Sequence, residues 1–348
     1  MSVLFLDSFD HYNQMDEKWD AQFFGSNIFP VFDHGRFTPG ALQIKGTGGG
    51  GTQTKNLDPP TSQEVIAGFA YNNTNADVYS ARINFEDNLG NKAYLIIDFP
   101  SGVASFSYLG NNISTGLTIF TGSVWQHVEI RVKAHASLGE LEIRRNGQTE
   151  ASATGLNTLD VGFTGFSQFV IGADHNSQRH HLDDLYIFNT EGDKNNTFAG
   201  DTRITVLRPN ANGLDNNFTP FGAADNYMAV DDAIHDQDLT YVEAGQIGAK
   251  ERYSLFDFTE LGISPGTVYC TQVVNASKKT DAGQLKYKDQ MIIGGIAYDN
   301  GQADVIATSG TYQMTFMVND TDPSDGGDWT EAKIAAIGSG IEITFREV

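Results

Sequence analysis

The sequence predicts an all-β chain built as two sandwich-type domains, and three observations carry that prediction. Apolar and polar residues alternate with period two in many short stretches, as in Val128-Glu129-Ile130-Arg131-Val132, which is the pattern of a strand with one buried and one wet face. Glycine is abundant, at 37 residues, and polar turn clusters interrupt the stretches at short intervals. Aromatic residues make up 11% of the chain, with 23 Phe and 13 Tyr, types that pack well on a pleated surface.

Taken in order, the first domain spans residues 1–192. Its expected strands are Val3–Leu6, Ala41–Lys45, Val65–Ala70, Ser80–Phe85, Ala93–Phe99, Val103–Tyr108, Val124–Val132, Glu140–Arg145, Phe169–Ile171 and His181–Phe188. Between them lie turn-rich pieces, such as the glycines 46–51, Asn72 to Asn75 and Glu86 to Asn91. The four consecutive glycines 48–51 lack a following Lys-Ser/Thr and helix, so they read as a surface loop and not as a phosphate cradle. In the stretch from Val124, the two alternating runs are joined by a short loop, which predicts an antiparallel hairpin. Asn146-Gly147 then gives a tight turn, since both residues tolerate positive φ. Trp125 reads as a core anchor beside that hairpin.

The polar run Asn189 to Asn196 breaks the strand pattern and marks the boundary. The second domain, residues 193–348, has expected strands at Arg203–Leu207, Thr240–Glu243, Arg252–Phe256, Val268–Val274, Gln284–Ile293, Tyr312–Val318 and Ile341–Phe345. One short helix is expected from Thr330 to Ile337, with Thr330 as N-cap, Glu331 in the first turn and Gly338 as the stop. This domain reads as a smaller β-sandwich suited to attachment or oligomerisation.

Composition narrows the function classes. The net charge is −22, and it divides evenly: residues 1–192 carry 11 basic and 21 acidic side chains, residues 193–348 carry 11 and 23. Such a chain repels nucleic acid and anionic membranes. No apolar run approaches the ~18 residues of a membrane helix, and the short apolar start Val3 to Leu6 has no basic segment before it, so no signal peptide is expected. The lone Cys270 excludes an internal disulfide and reads as a buried, inert thiol.

Four sets of residues bear on chemistry. Glu140 and Glu142 share a strand face about 7 Å apart, but the sixth position of Glu140-Leu141-Glu142-Ile143-Arg144-Arg145 is basic. That breaks the Glu-x-Asp-x-x-Glu arrangement of a glycoside-cleaving acid pair, so no catalytic residues are expected. His175, His180 and His181 lie near Asp174, Asp183 and Asp184 in sequence, yet the consecutive His180 and His181 must point to opposite faces. The acidic loop from Asn319 to Asp328 offers Asp320, Asp322, Asp325 and Asp328 as oxygen ligands, which makes them the metal candidates, with calcium as the ion. A second acidic cluster holds Asp231, Asp232, Asp236 and Asp238. Aromatic side chains near amides, suited to sugar binding, are Phe23, Phe24, Phe29, Phe32 and Phe37, Tyr71 with Asn72 and Asn73, and Tyr108 with Asn111 and Asn112.

Read together, Val124 to Gly147 and His181 to Phe188 resemble the closing part of a concanavalin A-like (laminin G-like) jelly roll. The opening Leu4 to Asn13, the run His181 to Asp193, the run Thr202 to Asn210 and the ending Asp328 to Ile343 occur in the order found in a group of tailed-phage and prophage virion structural proteins, which the chain resembles over nearly its whole length. The resemblance implies a concanavalin A-like jelly roll followed by a smaller β-sandwich with one short helix. It implies a non-enzymatic structural protein, a capsid decoration, spike or tail component. Its implied place is the exterior of the particle, as a homo-oligomer bound to other virion proteins and turned toward host surface glycans. The alternatives left open are a bacterial surface or secreted lectin and, more remotely, a glycoside hydrolase.

Overall fold

The alternating stretches pair into antiparallel sheets. The computed structural model describes residues 2–23, 27–45, 51–57, 63–73, 81–87, 92–98, 103–108, 111–115, 122–159, 162–173, 179–264, 266–299, 301, 305–307 and 310–347. The chain divides into two compact units, Met1–Asp10 with Gln14–Ile204, and His11–Asn13 with Thr205–Val348.

Unit 1 contains β1 (Val3–Asp7), β2 (Ala21–Phe23), β3 (Asn27–Val31), β4 (Ala41–Lys45), β5 (Gly51–Asn56), β6 (Glu64–Asn73), β7 (Ala81–Asp87), β8 (Lys92–Asp98), β9 (Val103–Tyr108), β10 (Asn111–Thr115), β11 (Gln126–Lys133), β12 (Gly139–Arg145), β13 (Gln148–Leu156), β14 (Phe166–Ala173) and β15 (Arg179–Asn189). They form two sheets. One has the order β13-β12-β11-β6-β15-β4-β3, with β1 also paired to β15; the other runs β10-β9-β8-β7-β14-β5-β2. Sequence neighbours such as β11 and β12 are joined by hairpins, while β15 lies between β6 and β4, far from it in sequence. This is the two-sheet jelly-roll sandwich that the alternation predicts. Val65, Phe69, Val128, Ile130 and Ile187 from the first sheet, and Ile83, Phe85, Phe169 and Ile171 from the second, are buried as its core. The hairpin β12–β13 turns on Asn146 (φ 48°) and Gly147 (φ 77°), both in the left-handed region, as their residue types require.

Unit 2 contains β16 (Pro209–Asn216), β17 (Thr219–Phe221), β18 (Tyr241–Glu243), β19 (Lys250–Leu255), β20 (Thr271–Ser277), β21 (Leu285–Ile293), β22 (Ile296–Tyr298), β23 (Val305–Ile306), β24 (Gln313–Asn319) and β25 (Ile337–Arg346), with the helix α1 (Glu331–Ile334) before the last strand. Its main sheet has the order β16-β19-β25-β21-β22, with β23 on β21; β17–β18 and β20–β24 form two-stranded ribbons. Val273, Met291, Met317, Trp329 and Ile334 cluster between the main sheet, the β20–β24 ribbon and α1. The Thr330 side chain caps α1 by accepting from the Lys333 amide at 3.3 Å.

Structure and expectation differ at three points. Arg203–Leu207 is not a strand; the strand follows at β16, because the backbone and arginines of residues 202–208 are spent on side-chain contacts instead. Residues 193–204, expected on the second domain, group with unit 1 in the division into compact units, which falls after Ile204. Trp125 is only half-buried, since β11 starts one residue later and Ser123 turns at φ 61°; the buried tryptophans are Trp19 and Trp329. Cys270 precedes β20 and is intermediate in exposure, with its thiol pushed up to about 12 by burial and by Asp320. No helix among the described residues is long and apolar enough to cross a membrane.

Candidate functional site

The outward face of the first sheet is polar at its centre. Register places Glu129 opposite Gly68, and Gly68 opposite Tyr186, in one row across β11, β6 and β15. A Cβ on Gly68 would stand 2.3 Å from the Tyr186 ring, so the glycine lets that ring lie flat across β6. The Tyr186 hydroxyl thereby reaches across and donates to Glu129 Oε1 at 2.5 Å. His127 lies buried beside it, its ring centroid 6.3 Å from that of Tyr186, and desolvation lowers its pKa.

Two residues before Tyr186, at Asp184, β15 carries a bulge. Asp183 pairs with Ala70 and Tyr186 with Gly68, three steps against two. Asp184 takes up the extra residue with φ 52°, a conformation that Asp tolerates better than most. The bulge falls where β4 stops pairing with β15 and β1 begins. It leaves two carboxylates buried side by side. Burial, together with the charge of Asp184, raises the pKa of Asp183; burial raises that of Asp184 against the opposing pull of the Ile204 amide and Arg36.

These carboxylates hold two covering segments in place. The first is the turn between β3 and β4. Asp183 Oδ2 accepts from the Arg36 amide at 2.8 Å, and Asp10 accepts from the Thr38 hydroxyl at 2.8 Å and the Gly40 amide at 3.0 Å. Gly35 closes the turn by donating to the Pro39 carbonyl at 3.0 Å, and a Cβ there would meet the Thr38 carbonyl at 1.9 Å. The second is the strap 198–204. Phe198 lies 4.0 Å from the Arg144 guanidinium, Ala199 and Gly200 donate to Tyr186 Oη and Glu129 Oε1, and Ile204 donates to Asp184 Oδ1 at 2.7 Å. Arg36 ties the two segments together, bonding both carboxylate oxygens of Asp201, at 2.6 and 2.8 Å, and the Thr202 carbonyl at 3.3 Å.

What this scaffold presents to solvent is a small mixed platform. Phe37, 53% exposed, has the guanidinium carbons of Arg36 and Arg203 at 4.5 and 4.9 Å from its centroid. On the same turn the His34 ring stacks on His181 at 4.7 Å with an interplanar angle of 8°, and its Nδ1 contacts the exposed Asp33 carboxylate. An aromatic face, a guanidinium, an imidazole and a carboxylate thus converge on a turn whose backbone is fixed from beneath.

The residues singled out from sequence are distributed as follows. His180 and His181 do point to opposite sides: His180 meets the core-side Tyr71 hydroxyl at 2.7 Å, while the buried His181 backs the His34 ring of the platform. Burial brings His180 down to about 4. His175 and Asp174 lie outside the described residues, as do Phe24, Thr74, Asn75 and most of the glycine run. Of the early aromatics, Phe37 and the 40% exposed Phe29 reach the surface. Glu140 pairs with Lys133 at 3.1 Å. Glu142 accepts from Arg144 at 2.8 Å and the Thr149 hydroxyl at 2.7 Å; although burial alone would raise it, these partners hold its carboxyl below the ordinary value, the opposite of a proton donor. In unit 2, Asp322 receives the Ser324 amide and hydroxyl, and the Lys333 ammonium contacts Asp322 at 3.1 Å and Asp325 at 2.8 Å. Asp320 follows β24, and Asp328 is exposed beyond the turn. Among the described residues, no three His, Cys, Asp or Glu side chains come together as a metal ion needs.

Reading the sequence missed Arg36, Asp201, Arg203 and the Glu129–Tyr186 pair. One signal was available: Leu182, Leu185 and Ile187 are spaced three and then two, a phase slip that marks a bulge at Asp183-Asp184.

No protein-family model and no curated protein sequence matches the chain. Among solved structures, it is similar to a protein of unknown function with a galectin-like fold from Bacillus subtilis, at 10% identity and TM-score 0.39 over 54% of this chain and 96% of that one. It is also similar to the carbohydrate-binding module CBM66 from Bacillus subtilis, at 11% identity and TM-score 0.31 over 42% and 86% of the two chains. A third similar structure is the lectin UEA-II complexed with galactose, at 11% identity and TM-score 0.31 over 49% and 98%.

Proposed function

We propose that the protein is a non-enzymatic, displayed carbohydrate-binding protein of a tailed-phage exterior, in which unit 1 contacts host surface glycans and unit 2 attaches it to the particle. The observation that carries the binding role is the platform of Phe37, the exposed Arg203, His34 and Asp33, while the Arg36 guanidinium is held by Asp201 and Thr202. A sugar offers an apolar ring face and a rim of hydroxyls. An exposed aromatic ring takes the first, and the guanidinium, imidazole and carboxylate take the second. Rigidity matters here, because a turn held by Asp183, Asp10 and Asp201 loses little entropy on binding. The non-enzymatic reading is supported by Glu140 and Glu142, each already engaged by neighbouring cations. The phage setting is supported by the ordered sequence resemblance along the chain.

The test has two arms. Binding of the intact protein to an array of bacterial surface glycans, repeated with Phe37→Ala, should show a hit that the substitution weakens by tenfold or more with the melting temperature unchanged. No hit, or a hit that Phe37→Ala leaves intact, would refute the assigned site. Gold-labelled antibody to unit 1 on phage particles from the source should decorate head or tail. Bare particles with glycan binding retained would instead favour a bacterial lectin.

A further inference from the structure

Between Arg208 and Lys250 the sequence has seven carboxylates and no lysine or arginine. The same stretch carries Leu214 (84% exposed), Leu239 (72%), Ile247 (64%), Phe221 (54%) and Met228 (42%), which stand among the exposed large apolar side chains of the described residues. Solvated acidic loops do not ordinarily expose large apolar groups in this way.

The best-defined part is the β17–β18 ribbon. Its register sets Phe221 opposite Tyr241, and the two rings stack at 4.8 Å and 18°. Leu239 stands just beyond the ribbon's end, where its carbonyl lies 2.3 Å from the position a Cβ on Gly222 would take. The ribbon is short, yet its base is anchored. The buried Glu251 of β19 accepts from the Phe218 amide at 2.9 Å and from Asn226 Nδ2 at 3.0 Å. Asp232 and Asp236 are both bridged by the Thr240 hydroxyl, at 3.2 and 3.1 Å. Cations from outside the stretch meet Asp215, through Arg252 at 2.9 Å, and Asp238, through Lys278. Arg208 attracts Asp232, and the remaining Asp225, Asp231, Asp236 and Glu243 leave the stretch net negative.

We infer that the Phe221–Leu239–Tyr241 ribbon is a docking surface for a different protein, one that offers an apolar groove flanked by lysine or arginine. The charge pattern selects this occupant. A second copy of the chain would bring the same acids to the same place, and like charges facing each other across an interface oppose it. The inference deepens the attachment role proposed for unit 2 and rests on that role, but its test does not use particles.

The probes are two synthetic peptides of equal length, one alternating leucine with lysine and the other alternating leucine with glutamate. Each is titrated calorimetrically into the full chain at low and at physiological salt. The lysine peptide should bind, tenfold or more weakly at the higher salt, and the glutamate peptide should give no binding. Phe221→Ser with Leu239→Ser should weaken the lysine peptide at least tenfold while the melting temperature stays as in the wild type. Asp225→Asn with Glu243→Gln should flatten the salt dependence. Equal binding of both peptides, or full binding by the double serine variant, would overturn the inference. So would self-association in sedimentation velocity that the double serine variant abolishes, since the occupant would then be a second copy. Bare particles in the labelling experiment would remove the phage setting and leave these results standing.

Discussion

Asp183 and Asp184 are buried next to each other, and Arg36 stands 3.6 Å from Asp184. Burial, with the charge of Asp184 added, lifts Asp183 to about 8, and burial lifts Asp184 to about 6. Both lie above the ordinary carboxylate value, so the folded state holds protons that the unfolded chain releases, and stability from this pair falls as pH rises from about 4 to about 8. Asp184→Asn should flatten that decline, because asparagine keeps the oxygen that accepts from Ile204, tolerates positive φ and removes the repulsion on Asp183. Denaturant unfolding of both proteins from pH 4 to 9 checks this; parallel curves would refute it, and a divergence on the order of 1–3 kcal/mol is expected. A second residue-scale prediction concerns Lys18, buried with its ammonium 3.2 Å from Asp7 and 3.0 Å from the Leu6 carbonyl. Lys18→Met takes this ammonium from the buried Asp7 and should cost about 3–5 kcal/mol, read as a lowered denaturation midpoint. The sequence displayed Asp183 and Asp184 openly, but not that Arg36, far away in the chain, would face them. Long-range partners of a bulge leave no local pattern to read.

At the scale of elements, Gly68 and Tyr186 form a cross-strand fit that depends on a missing methyl group. Gly68→Ala would push a Cβ into the Tyr186 ring and detach its hydroxyl from Glu129. The expected loss is about 1–3 kcal/mol by overpacking, and Tyr186→Leu should relieve part of it; additive losses in the double variant would show that the two sites do not share the fit. Strands with clean alternation were legible in advance: β4 and β9 fall on their expected bounds, and β11, β12 and β21 within a residue or two. The elements that escaped notice are of another kind. In β13, Gln148–Leu156 is mostly small and polar; β3 contains Pro30; β16 reads Pro-Asn-Ala-Asn-Gly-Leu-Asp-Asn. Each stands at or next to the edge of its sheet, where one side of pairing suffices and the apolar signal fades.

Across the whole molecule the core is unevenly shared. Of the largest fully buried side chains among the described residues, all but Tyr12 and Tyr287 belong to unit 1, while unit 2 has a small cluster around Trp329 and Met317. Scanning calorimetry should therefore resolve two transitions, the lower from unit 2. Trp329→Ala should lower only the first and Phe69→Ala only the second, each by the equivalent of about 3–5 kcal/mol; one transition shifted by both substitutions would contradict this. The strap beyond β15 carries a consequence of a different sort. Its amides at Gly200 and Ile204 serve Glu129 and Asp184, and its Asp201 serves Arg36. A gene rearrangement that joined this domain to a new neighbour directly after Asn189 would strand those buried charges. The heritable segment therefore runs on to Ile204, and recombination joints in descendants of this domain should fall after that residue, past the point where the sandwich itself is complete.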